Sequence, residues 1–174
     1  MIVPPSTPRI RADQVLEWVK NKNVCQLIGI RGYYKNTMGV PDTNDVGIYD
    51  DAIVLYSPNV FATFNANTDP SVLRKNVAVL MPGFYWYKLG IHGLSKPPER
   101  RYEALVQMDV VTIKRHNGNE ETGFFGINIH KGGYNTTSSE GCQTIYPAQW
   151  PHFIALVKGE LTRMNQKIIS YYLV

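Results

Sequence analysis

The chain has 174 residues, 44% of them hydrophobic and 18% charged, which is enough for one domain with a substantial core. No run of about 18 apolar residues occurs, so no membrane-spanning helix and no membrane insertion are expected. A net charge of +4 suits an acidic partner, but the basic residues are scattered, and a nucleic-acid binder would need a basic face that the sequence does not show.

The opening "MIVPPSTPRIRADQ" carries three prolines and no apolar h-region. Residues 1–12 therefore read as an extended arm, and residues 1–174 as a single domain. The expectation is synthesis in the cytoplasm without a recognisable signal peptide. "ADQVLEWVK" reads as the first helix, with Asp13 as its cap and Val15, Leu16 and Val19 on one face. "CQLIGI" reads as a buried strand, with Cys25 packed as a small apolar side chain. "YYKNTMGVPDTNDVG" is a long loop dense in Gly, Pro, Asn and Asp.

Further strands are expected at "IYDDAIVLY", "VFATFN", "VAVLM", "FYWYKLGI", "EALVQMDVVTIKR" and "TGFFGINIH", all rich in β-branched and aromatic residues. "FNANTDPS" reads as an ordered turn. "KPPERR" reads as a solvated loop. "HNGNEET" is a hairpin connection with Asn117-Gly118 as its tightest point. Trp150, Phe153, Ile154, Val157 and Leu161 recur at helical spacing, and Pro151 suits the first turn of that helix. "KIISYYLV" closes the chain as a strand. About eight strands and two helices predict a mainly β, α+β domain. Two cysteines do not make a disulfide framework.

The stretch from Ile127 to Pro147, "INIHKGGYNTTSSEGCQTIYP", carries the chemistry. A strand ends in His130, a loop of small residues follows, and the loop arrives at Gly141-Cys142. A histidine acts as a base near neutral pH and a thiolate is a strong nucleophile, provided the two meet in space. Gly141 lets the backbone turn tightly, and amides at Ser139, Glu140 and Gly141 can receive an oxyanion. The bland alternatives are an inert buried thiol and a histidine that merely ends a strand. Zinc binding by His130, Cys142 and His92 has no CxxC or HxxxH spacing behind it, so neither metal nor cofactor is expected.

The order His130, Ser139, Gly141, Cys142 resembles the signature of the L,D-transpeptidases, the YkuD-like cysteine enzymes of peptidoglycan metabolism. Papain-like and NlpC/P60-like peptidases place the cysteine first. Glu140 stands where that family usually has histidine, Thr144 where it often has arginine, and the interval from His130 to Cys142 is short. The chain is thus similar to the divergent branch found in phage lysis cassettes and secreted antibacterial effectors. The resemblance implies a β-rich catalytic domain with Cys142 as nucleophile, His130 as base and amides of Glu140, Gly141 and Cys142 as oxyanion donors. It implies action in the periplasm or cell wall on peptidoglycan stem peptides, cut before a D-amino acid through a thioester, by hydrolysis more than by cross-linking. An effector of this type also implies a cognate immunity protein as partner.

Around this core, Tyr87 and His92 are candidate walls of the substrate groove, although alternating Tyr85 and Tyr87 fit a sheet face equally well. Arg115 is a candidate clamp for a substrate carboxylate. Gly132 and Gly133, which follow His130, are candidate substrate neighbours. The rival from another class is a non-catalytic wall-binding or phage structural module that keeps the fold without turnover.

Overall fold

A computed structural model describes residues 7–35 and 43–174. The first six residues, and part of the loop expected between Tyr33 and Gly47, lie outside the described residues. Among the described residues the fold is mainly β, with two α-helices, as the sequence leads one to expect.

Eight strands close into a barrel. These are β1 (Gln26–Ile30), β11 (Ile169–Leu173), β5 (Gly83–His92), β6 (Tyr102–Gln107), β9 (Ile129–Lys131), β10 (Gln143–Ile145), β3 (Val60–Asn67) and β2 (Asp51–Ser57), in that order round the barrel. β1 runs parallel to β11 and β9 runs parallel to β10, while the other neighbours are antiparallel. A second sheet sets β7 (Val111–Arg115) between β4 (Ala78–Leu80) and β8 (Glu120–Gly123).

The barrel interior is filled by alternate residues, among them Leu27, Ile53, Phe64, Leu105, Ile129, Ile145 and Tyr171. Helix α2 (Trp150–Arg163) adds Phe153, Val157 and Leu161 to this core, the face its spacing predicts. Burial of each of these three contributes roughly 1.5–3 kcal/mol. Glu160 is also buried on α2, where it accepts a hydrogen bond from Ser57 Oγ at 2.6 Å. Cys25 is fully buried, and burial pushes its thiol up to about 12.

A smaller cluster of Val15, Ile28, Ile30, Tyr33, Tyr34, Ala52 and Val54 covers the outer face of β1 and β2. Those two strands are buried on both faces, which is why they read as continuous apolar runs. Helix α1 (Ala12–Leu16) supplies Val15 to this cluster. It is shorter than expected, Leu16 faces out, and the cap is Arg11 rather than Asp13. The Arg11 amide donates to the Gln14 side chain at 3.1 Å, and Asp13 pairs with the Arg11 guanidinium. The arm bridges through Pro8 to Tyr34.

Two expected strands are broken. "EALVQMDVVTIKR" is β6 and β7, parted at Met108–Val110, where the chain leaves the barrel for the small sheet. "TGFFGINIH" is β8 and β9, parted by residues 124–128, where it returns. "FNANTDPS" begins as the end of β3 and turns only after Asn67. The hairpin at Asn117 forms as expected, with Asn117 at φ 59°.

Candidate active site

The parallel pair β9–β10 builds the site. Thr144 lies opposite His130, and Gln143 lies opposite Ile129. Ile129 and Ile145 point into the barrel, so His130 and Thr144 stand on its outer face. Cys142 precedes β10 by one residue, diagonal to His130 across the pair. Both line an open cavity of about 730 Å³ with His92, Asn128, Ser138, Glu140 and Lys96.

The turn before Cys142 is built by Ser139 and Gly141. Ser139 Oγ donates to the Cys142 carbonyl at 2.6 Å and accepts from the Gly141 amide at 3.0 Å. The Gly141 amide is therefore committed to the turn and is not an oxyanion donor in this conformation. Gly141 sits at φ +130°, and a Cβ there would come within 2.6 Å of the Ala78 carbonyl. The loop leading in is anchored, since the Ser71 amide donates to Ser139 O at 2.9 Å and the Ser139 amide donates to Ser71 Oγ at 2.8 Å.

His130 is buried, and its Nδ1 lies 2.8 Å from the Lys131 carbonyl oxygen. A carbonyl cannot donate, so Nδ1 carries the hydrogen and Nε2 keeps its lone pair. The Tyr102 hydroxyl donates to the same carbonyl at 3.2 Å. His92 stacks on His130 with centroids 4.0 Å apart. Asn128 Nδ2 donates to His92 Nδ1 at 3.3 Å, while its Oδ1 accepts from the Gln107 amide at 3.0 Å. Burial first, and then the neighbouring His92, push His130 down to about 3. Burial and Lys96 also lower His92.

Cys142 is half-buried. Its thiol donates to Gly126 O at 3.4 Å, and its sulfur accepts from the Asn128 amide at 3.4 Å. Among the described residues no hydrogen bond joins the sulfur to His130. Burial pushes the thiol up, and the Glu140 carboxylate adds to this, while the Asn128 amide and Lys96 act in the other direction. The resting pair is thus a neutral thiol and a neutral imidazole, rather than the thiolate–imidazolium pair of a thiol that alkylates well below the ordinary pH. Glu140 is exposed and paired with Arg74.

The structure brings His130, Cys142, Ser139, Glu140, Gly141 and His92 together and places the remaining candidates elsewhere. Tyr87 is fully buried inside the barrel, edge-on to Tyr171, because odd positions of β5 face inward. Arg115 lies on the small sheet, paired with Glu121 and lining a different cavity. Gly132 and Gly133 are packing glycines, since a Cβ at 132 would meet the Tyr49 hydroxyl at 2.1 Å and one at 133 would meet Ser138 Oγ at 2.5 Å.

Sequence reasoning missed Asn128, Tyr102 and Lys96. The lysine belongs to the basic run read as a solvated loop, yet it is the cation lining this cavity. Among the described residues no three His, Cys, Asp or Glu side chains are grouped so as to share a metal. Comparison of the chain with family models, curated proteins and solved structures returned no match.

Proposed function

We propose that this chain is a cysteine acyl-transfer enzyme of the L,D-transpeptidase type, acting on peptidoglycan stem peptides in the periplasm or cell wall. The observation that carries the reading is one cavity lined by both Cys142 and a histidine whose tautomer is fixed by the Lys131 carbonyl. The thiol rotates from Gly126 O and gives its proton to His130 Nε2 as sulfur attacks the carbonyl carbon before a D-amino acid. Amides of Glu140 and Cys142 receive the oxyanion, and Lys96 takes the substrate's terminal carboxylate. Collapse breaks the C–N bond. The leaving amine takes the proton from His130, and a thioester remains on Cys142.

Water then attacks the thioester with His130 again as base, which releases the shortened stem and restores the thiol. An amine in place of water gives transpeptidation. Hydrolysis is the favoured outcome, because the loop from Lys131 to Ser139 is short, tied down at Ser71 and Tyr49, and poor in apolar material for a water-excluding lid. In an antibacterial effector setting the partner would be an immunity protein that covers this cavity.

The second reading is a wall-binding module without turnover. The raised thiol and its hydrogen bond to Gly126 O instead of His130 favour it. Digestion of purified peptidoglycan, with fragments identified by mass, separates the two. Loss of terminal D-alanine or cleaved cross-links with wild type, and neither with Cys142→Ala, supports the enzyme. Intact fragments with both proteins support the binding module.

A further inference from the structure

The outer face that carries Cys142 continues across the barrel. Val106 on β6 lines the cavity and pairs with Lys88 on β5. Along β5, Lys88, Trp86 and Phe84 all point outward, and Phe84 pairs with Tyr172 on β11. Phe84 is 42% exposed and Trp86 37%, which is unusual for large aromatics on a barrel wall. The rings are packed edge to face, Phe84 on Trp86 at 5.3 Å, and Lys20 covers Tyr172 at 4.3 Å.

We infer that this aromatic–lysine strip is a track for the glycan strand that carries the stem peptide, an inference that rests on the proposed activity. Three observations select a sugar polymer as the occupant. The strip lies on a sheet rather than in a pocket, which fits an extended chain of pyranose rings. Sugar rings present flat C–H faces that pack on aromatic faces and hydroxyls that need water, so a partly exposed strip suits them. Lys88 and Lys20 flank the rings and complement the carboxylates of the stems that the glycan carries. The spacing also fits. Three strand steps, about 14 Å, separate Cys142 from Lys88 on β5, and Trp86 lies two residues further along that strand, roughly 16 Å from Cys142. A stem of three to four extended residues spans about 10–14 Å. A glycan lying across Trp86 and Lys88 therefore brings its stem within reach of Cys142.

The test is co-sedimentation of the full chain carrying Cys142→Ala with insoluble glycan strands stripped of their stem peptides. Adding Trp86→Ala should reduce the bound fraction about tenfold, and Trp86→Tyr should restore most of it. In the catalytically intact chain, Trp86→Ala should slow release of D-alanine from whole sacculi and leave a soluble tetrapeptide turned over at the wild-type rate. Unchanged sedimentation with Trp86→Ala overturns the inference. So does a self-association or nucleic-acid binding that Trp86→Ala abolishes while glycan binding persists. Glycan binding sensitive to Trp86, with no turnover of any peptide by wild type, sinks the enzyme reading and leaves the surface standing.

Discussion

The imidazole of His92 lies flat against that of His130, with centroids 4.0 Å apart and planes 20° from parallel. Two imidazolium charges at that separation in a buried site repel strongly. Burial first, and then this repulsion, keep His130 neutral, its lone pair on Nε2, far below the pH at which an ordinary histidine protonates. The stack places a constant base beside the nucleophile.

The first prediction concerns rate. kcat/KM on a soluble tetrapeptide should show no acid limb near the ordinary histidine value and should hold between pH 7 and 5. His92→Asn removes the smaller cause of the shift and should move the acid limb upward, while burial still holds it below the ordinary histidine value. A wild-type limb near pH 6.5 would show that the base is not the buried His130.

The second concerns the thiol. Burial and Glu140 both raise Cys142. Alkylation by iodoacetamide should climb only above the ordinary thiol range, and Glu140→Gln should shift the midpoint slightly downward. A wild-type midpoint well below that range would mean a resting thiolate, against the neutral thiol that burial and Glu140 favour. Stability should change by less than about 1 kcal/mol in Glu140→Gln, because its pairing with Arg74 is exposed.

The third concerns stability against pH, where two buried groups act in opposite directions. Folded His130 protonates only near about 3, whereas the unfolded chain takes that proton near 6.5. Stability is lost as pH falls through that window, on the order of a few kcal/mol, and His130→Gln should flatten the fall. Asp50 is raised to about 7, chiefly by burial. Its carboxyl is protonated when folded and ionised when unfolded between about 4 and 7, so stability is lost as pH rises through that range. Asp50→Asn should flatten this second slope. Urea melts of the two variants across pH 3–8 check both signs, and parallel curves for variant and wild type would refute the shifts.

The fourth concerns the turn. Gly141→Ala forces a Cβ against the Ala78 carbonyl at positive φ. It should lower stability by about 1–3 kcal/mol and abolish turnover by moving Cys142. Ser139→Ala deletes the hydrogen bonds to Cys142 O and from the Gly141 amide, and should reduce kcat more than KM. Thermal melts with steady-state kinetics distinguish these from wild type. Full activity in Gly141→Ala would deny the turn its role.

The mainly β character was legible because Val, Ile and aromatic runs lie between clear turn signals, and α2 because its apolar stripe has one period. The break at Met108–Val110 was not, because "EALVQMDVVTIKR" is uniformly strand-like and only the crossing between sheets interrupts it. β10 has three residues and is held by its neighbours β9 and β3 rather than by its own propensity. Alternation in β5 separates Tyr87 from Trp86 but does not say which face is inside. For that reason Tyr87 was a groove candidate, while Trp86 was the exposed one. His130 and Cys142 were legible as a local pattern. Lys96 and Tyr102 reach the site only through the β5–β6 pairing, which sets His92 opposite Tyr102.

The most direct test of the central claim is the intact mass of the protein quenched during reaction with a soluble tetrapeptide. Wild type should gain the mass of the acyl tripeptide, mapped by digestion to Cys142, with at least one D-alanine released per adduct. Cys142→Ala should gain nothing and release nothing. D-alanine release by Cys142→Ala at the wild-type rate, with no adduct on the wild-type protein, would contradict covalent catalysis at this residue.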